Sequence, residues 1–407
     1  MPKLHYPIFF DSFACKCSAC RRTCCGSDWV IGLSMQEYES NLNNPNPTCR
    51  ELARNGLHCV EDGTEELFAA CTPDENGLCR ILSKDGLCSW QLLEGHCVGA
   101  VCDEFPRFHM RYLSDEYVFP TLACEAVVEA IWHSGSDFSL THTEKDAPGC
   151  IQNIIISEDA LNKRPVFKYY PAAIATGIKL FQDRKFSLDD RMVLMANLAC
   201  LLDYLEKQGK TDFIPSAMER FMEEQNLSSI LERFSEYSIS PAALLTVNCK
   251  TMIRQFELPQ FLPQALSVLE GLGFEINREE GSEGGLRVEL KDREAYLRRR
   301  EMLKPFMEKH IGFFEKLLIC EFLRGMTFFT EPDIFSSFCI FNCWYALLKG
   351  TICGLFESDP DISRLTDSIV VMQRMFTHHG EEYGNTLQFL EAIRMKDLGS
   401  MVALAKG

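Results

Sequence analysis

The chain has little positive charge for its size: 41 Lys and Arg stand against 58 Asp and Glu, a formal net charge of −17 over 407 residues. A nonspecific nucleic-acid binder needs a basic surface, so that class is disfavoured. The balance favours solubility and permits a basic or lysine-presenting partner. No run reaches the roughly 18 to 20 uninterrupted apolar residues of a membrane span; the nearest, FSSFCIFNCWYALL, is interrupted by polar residues. The opening MPKLHYPIFFDSF has one lysine, no long apolar run and no small-residue cleavage site, unlike a secretory signal. The expectation is a cytoplasmic protein with no membrane span and no nucleic-acid partner. P-loop and nucleophile-elbow motifs are missing too. The one G-x-G, Gly271-Leu272-Gly273, follows a helical pattern and lacks the strand-to-helix context of a Rossmann site.

What the chain has in excess is cysteine. Of 20 cysteines, 14 fall in the first 150 residues, and five occupy the eleven residues CKCSACRRTCC. In a reducing compartment such clustering points to metal or catalysis rather than to disulfides. Cys200, Cys320, Cys339, Cys343 and Cys353 lie inside apolar helical patterns and read as buried thiols. Those from Cys15 to Cys25 have Lys16, Ser18, Arg21, Arg22 and Thr23 as neighbours, and read as metal ligands. Thiolates bind both structural zinc and iron–sulfur clusters. The two remain open, because Cys17-x2-Cys20 is the single C-x2-C knuckle here. The C-x3-C-x2-C triplet of radical-type S-adenosylmethionine enzymes is absent, as is the strand–helix alternation of a barrel.

The length suits two domains. Residues 1–112 are rich in Cys, Gly, Asn and Pro, with apolar runs too short to make a good core, so something besides packing is expected to hold them. Ser34 and Glu37 form a capping box that starts a short helix. Residues 113–407 turn mainly helical. Helices are expected over 120–132, 187–209, 297–325, 333–357, 361–378 and 386–403, a short strand at DFSLTHTE, and two strands around a Gly-rich turn at 274–290. His378-His379 reads as a helix-end feature. The fold class is mainly α, a cysteine-rich, loop-rich N-terminal metal-binding module packed on a C-terminal α-helical domain with a small β-hairpin.

The stretch FACKCSACRRTCCGSDWVIGLSMQEYE resembles the opening of the flagellin lysine-N-methylases, through Phe13, Cys15, Cys20, Cys24, Cys25, Trp29 and Tyr38. The second half of that pattern is a cysteine ahead of D-G-L-C, followed by C-x-x-[FY]-P-R. Cys79, Asp85, Gly86, Leu87, Cys88, Cys102, Phe105, Pro106 and Arg107 fill it. The resemblance spans roughly residues 13–107 and is weaker in the helical part. It implies S-adenosylmethionine-dependent methylation of flagellin lysine ε-amines, with a 4Fe-4S cluster held among Cys15, Cys20, Cys24, Cys25, Cys79, Cys88 and Cys102. Four thiolates complete one such cluster, so seven exceed it. Cys17, Cys49, Cys59, Cys71 and Cys97 are further thiols that could substitute. The same cysteine pattern occurs in a wider group of zinc- or iron-chelating proteins, which keeps zinc, a non-catalytic metal-binding protein and a zinc-stabilised adaptor as alternatives. With no Rossmann motif, the cysteine region is expected to take part in binding the donor or stabilising the transfer.

Overall fold

The Ser187 hydroxyl accepts the Asp190 N–H at 3.1 Å and so opens the helix Leu188–Lys207, which stops before Gly209 at φ 64°. Leu188, Met192, Met195, Leu198, Leu202 and Leu205 are all buried, as their spacing requires. The computed structural model describes every residue except 1–2, 27–28, 136, 145–153, 238–240, 255–260, 279–285, 326, 330–331 and 378–381. The His378-His379 reading therefore lies outside the described residues.

The chain divides into two units, Met1–Ala130 with Leu140–Ile155, and Ile131–Ser139 with Ile156–Gly407. The expected boundary at 112/113 falls inside the turn between the paired strands Arg107–Tyr112 and Asp115–Pro120.

The second unit is helical, built around Ile334–Leu355, whose residues from Ser336 to Gly354 are all buried. By length and composition this helix could cross a membrane, yet 94% of its apolar window is packed inside the fold. A core helix needs that composition just as a span does. The strands Phe274–Arg278 and Leu286–Leu290 pair antiparallel as expected. Two expected helices are broken. The 297–325 pattern splits into Ala295–Lys309 and Ile311–Arg324, because His310 leaves helical geometry at φ −109°, ψ 28°. The 386–403 pattern splits into Glu382–Ala392 and Leu398–Lys406, where Arg394 takes φ 56° and the Asp397 carboxylate caps a new helix by accepting the Ser400 N–H at 3.0 Å. Gly271, Gly273 and Gly354 settle the meaning of the G-x-G. A Cβ on Gly271 would lie 1.8 Å from the Gly354 carbonyl, so the first glycine lets two helices touch, and Gly273 at φ 94° turns the chain from helix into strand.

In the first unit, Lys3–Pro7 pairs parallel with Asp115–Pro120 and antiparallel with Leu140–Glu144. The five-stranded sheet runs Leu140–Glu144, Lys3–Pro7, Asp115–Pro120, Arg107–Tyr112, Ile154–Ile156. Of these, only the strand at 140–144 was legible in the sequence. The whole cysteine-rich segment is inserted between the first strand and the Arg107–Pro120 hairpin. Contrary to expectation, it owns a small core: Ile31, Leu33, Cys49, Ala53, Leu57, Ala69, Cys71, Ile81, Trp90 and Val98 are buried together. Short apolar runs suffice because a three-stranded sheet of Gly32–Leu33, Ala69–Cys71 and Leu57–Cys59 and the helices Met35–Leu42 and Pro47–Gly56 each contribute a few side chains.

Two outcomes follow from this packing. Gly271→Ala must push the Leu262–Gly271 helix off Ile334–Leu355 and is expected to lower stability by about 3 kcal/mol, read as a fall in melting temperature. The capping box forms as predicted, with the Ser34 N–H donating to Glu37 Oε2 at 2.8 Å and the Ala100 N–H to Oε1 at 2.8 Å. Burial opposes ionisation there, but the Ala100 and Ser34 hydrogen bonds outweigh it and hold the Glu37 carboxyl below its ordinary 4.5. That contribution is complete above the unfolded value and is lost as pH falls through the folded one. Glu37→Gln is therefore expected to destabilise by about 1 kcal/mol at neutral pH, with the difference shrinking below pH 4.5 in chemical denaturation.

Candidate metal centre

Two turns of the same design deliver two of the motif cysteines. In the first, Asp74 Oδ1 accepts the N–H groups of Asn76 and Leu78 at 2.8 and 2.9 Å, and Gly77 takes φ 75° ahead of Leu78 and Cys79. In the second, Ser83 Oγ accepts from Asp85 and Leu87, and Gly86 takes φ 73° ahead of Leu87 and Cys88. Each turn needs glycine in the left-handed region. The repeated G-L-C at 77–79 and 86–88 was the sequence signal for this pairing. Gly86 has a second role, since a Cβ there would come within 3.1 Å of Ser18 Cβ in the first cysteine loop. The D-G-L-C motif thus brings its turn against CKCSACRRTCC.

Cys25 joins the first turn through backbone. The Cys79 N–H donates to the Cys25 carbonyl at 2.8 Å, and Gly26 bridges to Leu78. The aromatic residues of the pattern also meet: the Arg107 guanidinium lies 5.4 Å from the Phe10 ring centre and 5.6 Å from that of Phe13, and Trp29 lies 5.2 Å from Phe105. Phe13 and Arg107, at opposite ends of the pattern, are held together. Tyr38 packs on Phe68 at 5.6 Å and hydrogen bonds with Cys59.

The thiols fall into sets that shift one another's hold on the proton. Cys24 bonds with Cys25, Cys71 with both Cys79 and Cys102, and Cys97 with Cys88. In each set one thiol gains and another loses its hold on the proton. The Cys24 bond lowers Cys25, and the Cys71 bond lowers Cys79. Cys88 is held down to about 6, by Cys97 first and then, against burial, by its place at the start of the helix Ser89–Glu94. Cys24, Cys71 and Cys97 are raised by the same bonds and by burial. The three lowered thiols act on one another electrostatically, Cys79 with Cys25 and Cys88, and Cys25 with Cys88. The thiolate is the form that binds metal, so Cys25, Cys79 and Cys88 bring ligand character to one region.

Cys102 reaches this set through Cys71, whereas Cys15 and Cys20 lie on the first loop, where Cys15 Sγ accepts the Cys17 N–H at 3.4 Å. Cys71 and Cys97, which lie outside the family pattern, are direct partners of motif cysteines. Cys124 went unremarked in the sequence as a donor, yet it lies within electrostatic reach of Cys20 and Cys24. Arg21 and Lys16 turn to Glu125 and Glu129. All described cysteines are free. Among the described residues no three His, Cys, Asp or Glu side chains are already set around a common metal point. The donor chemistry suits a thiophilic metal nonetheless, with soft donors in excess of four. The buried Trp90 Nε1, in the adjoining core, finds no hydrogen-bond acceptor among the described residues.

The second unit carries a cleft of about 580 Å³ where Ile334–Leu355 ends, lined among others by Glu270, Arg299, Phe356, Asp361 and Arg364. Arg299 donates to the Gly354 carbonyl at 2.9 Å, and the Arg364 guanidinium lies 5.3 Å from the Phe356 ring centre. Guanidinium and carboxylate groups on one concave surface suit a zwitterion rather than a simple anion.

The helical unit is a domain of the lysine N-methylase type. The family model for the FliB lysine N-methylase C-terminal domain matches residues 175–404. The chain belongs to this family, as the resemblance implied. Among curated relatives, a lysine-N-methylase of Salmonella typhimurium (strain LT2) is 28% identical over 136 residues, 33% of this chain and 34% of that protein. A lysine-N-methylase of Salmonella choleraesuis (strain SC-B67) is 27% identical over the same length and shares. The chain thus matches about a third of the length of these relatives. No solved structure matches.

The twin turns generate one test. Gly86→Ala forces a side chain into the left-handed region and onto Ser18, and is expected to lower stability by about 1 to 2 kcal/mol. Gly77→Ala, at φ 75°, incurs the same backbone strain, and chemical denaturation reads both losses.

Proposed function

We propose that the protein methylates lysine ε-amines of flagellin in the cytoplasm, using S-adenosylmethionine as donor and a 4Fe-4S cluster held by the N-terminal thiols. The observation that carries the reading is the family match over residues 175–404. The relatives' name, lysine-N-methylase, agrees with it.

The reaction is a displacement. The lysine nitrogen forms a bond to the sulfonium-bound methyl carbon, the sulfur–carbon bond breaks, and its electron pair stays on sulfur. Lysine attacks only as the free amine, and with an ordinary value near 10.4 it must first lose a proton by desolvation or to a base. The net negative charge of the chain favours approach of a lysine-bearing substrate. In the second unit, the cleft offers Arg364 to the donor's carboxylate and Glu270 and Asp361 to its ammonium and hydroxyl groups. The cleft and the cysteine region, to which the missing Rossmann motif pointed, are the two candidate donor sites. In the first unit, Cys25, Cys79 and Cys88, whose hold on the proton is lowered, would hold the cluster, with Cys102, Cys71 or Cys97 as the fourth. A bound cluster supplies redox-active iron and ties three separate turns together.

The test uses the full chain purified without oxygen. Iron and sulfide in equal amounts, with broad visible absorption, are expected, and labelled S-adenosylmethionine is expected to transfer its methyl group to purified flagellin. Iron–sulfur without methyl transfer would leave a metal-binding protein, and zinc alone without transfer would leave a zinc-stabilised adaptor; either result overturns the reading. Arg364→Glu is expected to weaken binding of S-adenosylhomocysteine at least tenfold by calorimetry, and unchanged binding would remove the cleft from the account.

A further inference from the structure

The two strands that bracket the cysteine-rich insertion, Lys3–Pro7 and Asp115–Pro120, carry a cluster of titratable side chains outside the thiol sets and the cleft. In the strand register His5 stands opposite Tyr117 on one side and His142 on the other, and cross-strand partners share a face of the sheet. Asp115, two residues before Tyr117, joins them because alternate residues of a strand point the same way. The contacts agree. The His5 ring stacks on Tyr117 at 4.6 Å with 15° between planes, and the His142 ring lies 5.6 Å away.

Both oxygens of Asp115 face Lys3–Pro7: Oδ1 accepts the Lys3 N–H at 3.2 Å, and Oδ2 lies 3.5 Å from His5 Nε2. The second distance is long for a hydrogen bond, as catalytic contacts often are before substrate binds. Nε2 is closed to solvent, yet 20% of the His5 side chain and 35% of that of Asp115 are exposed. A neutral imidazole so placed directs Nε2–H at the carboxylate and keeps its lone pair on Nδ1. Burial, against the pull of Asp115, lowers the His5 hold on its proton below the ordinary 6.5, and His142 and Lys3 add to the fall. The ring is therefore unprotonated at neutral pH. A second pair, His109 with Glu104 at 2.6 Å, lacks such an opening, because His109 is 5% exposed.

We infer that this face receives the substrate lysine, with His5 as the catalytic base and Asp115 as its positioning residue. The inference rests on the methyl-transfer reading and supplies the base which that reading requires. The Asp115 carboxylate draws the ε-ammonium, and the stacked rings strip part of its water, which weakens its hold on the proton. That proton passes to His5 Nδ1, while Asp115 balances the imidazolium at Nε2. The electron pair left on nitrogen forms the bond to the sulfonium-bound methyl, and the imidazolium releases its proton to water. The methylated nitrogen now carries the positive charge given up by sulfur, so a second methyl needs the same step again.

The experiment measures labelled methyl transfer from S-adenosylmethionine to purified flagellin by the full chain, purified without oxygen, from acid to alkaline pH. Wild-type kcat is expected to fall on the acid side as His5 takes a proton. Lys3, Asp115, Tyr117 and His142 are the titratable groups around that ring, with Tyr112 and Glu144 opposite Asp115 and Lys3 in the register. His5→Gln is expected to lower kcat about a hundredfold at neutral pH, the rate then climbing as alkali frees the amine directly. Asp115→Asn is expected to move the acid limb to lower pH, because the Asp115 charge raises the His5 value. Added imidazole is expected to restore part of the rate to His5→Ala. In the wild-type protein, flagellin is expected to slow acylation of His5 by diethyl pyrocarbonate, read by mass spectrometry, which needs no variant. Wild-type kcat and pH profile in His5→Gln, a loss uniform in pH, or acylation of His5 unaffected by flagellin overturns the inference and leaves the methylase reading standing. A wild-type protein that transfers no methyl group overturns that reading, and the base with it.

Discussion

Thiols crowded into a small unit cannot all ionise unless a cation sits among them, because each new negative charge raises the cost of the next. The cysteine-rich unit is organised around this conflict. In the pairs Cys24 with Cys25, Cys71 with Cys79, and Cys97 with Cys88, the first thiol holds its proton more tightly and the second less. Backbone geometry decides which member of the last pair is lowered, since Cys88 lies at a helix start. The twin G-L-C turns, the ion pairs of Lys16 and Arg21 with Glu125 and the core around Trp90 all serve to keep the sulfurs close despite that repulsion.

The second unit meets a comparable problem with charged side chains. Arg191 and Glu315 are 1% and 2% exposed and lie 2.7 Å apart. The same guanidinium donates to the Phe181 and Phe186 carbonyls, and Arg184 also binds Glu315. Lys349, in the core helix, reaches Asp189 at 3.2 Å and the Ala405 carbonyl at 2.6 Å, and burial lowers its hold on the proton. Desolvating such groups is expensive, so they contribute little net stability, but losing one partner leaves a charge stranded in the core. Their consequence is registry. Leu188–Lys207 is tied at one end to Ile311–Arg324 and Ile334–Leu355 by pairs that tolerate no slip along the helix axis, which smooth apolar faces would permit.

The helical part was legible because its signals are local. Ser187 and Gly209 bound a helix whose buried face repeats at three and four, and Ser34 with Glu37 announces a cap without reference to anything distant. Where the pattern misled, at His310 and Arg394, a periodic apolar face continued across a break in backbone geometry, since periodicity records which side is buried and not whether the helix is continuous. The five-stranded sheet was illegible for the opposite reason: Lys3–Pro7 finds its parallel partner more than a hundred residues away, and nothing in KLHYP names that partner. The family pattern identified the motif cysteines but not their thiol neighbours. Cys124 sits in an apolar helical run and looks like any small buried residue until the fold brings it to Cys20 and Cys24.

That parallel pairing bears on why this unit is built from cysteine at all. Joining Lys3–Pro7 to Asp115–Pro120 closes a loop of about 100 residues, and the entropy of closure grows with its length. Within the loop, the core is small and many connections are tight turns rather than long elements, so packing returns little of that entropy. Cross-links among the turns subdivide the loop into short segments, each far less costly to order. Hydrogen-bonded thiol pairs do this weakly, since each such bond is worth only about 1 kcal/mol net. Metal–thiolate bonds do it strongly, because the free energy of binding the ion becomes free energy of folding. On this argument the density of cysteine suits the topology: a long insertion between paired strands, poor in apolar residues, gains most from cross-links among its turns.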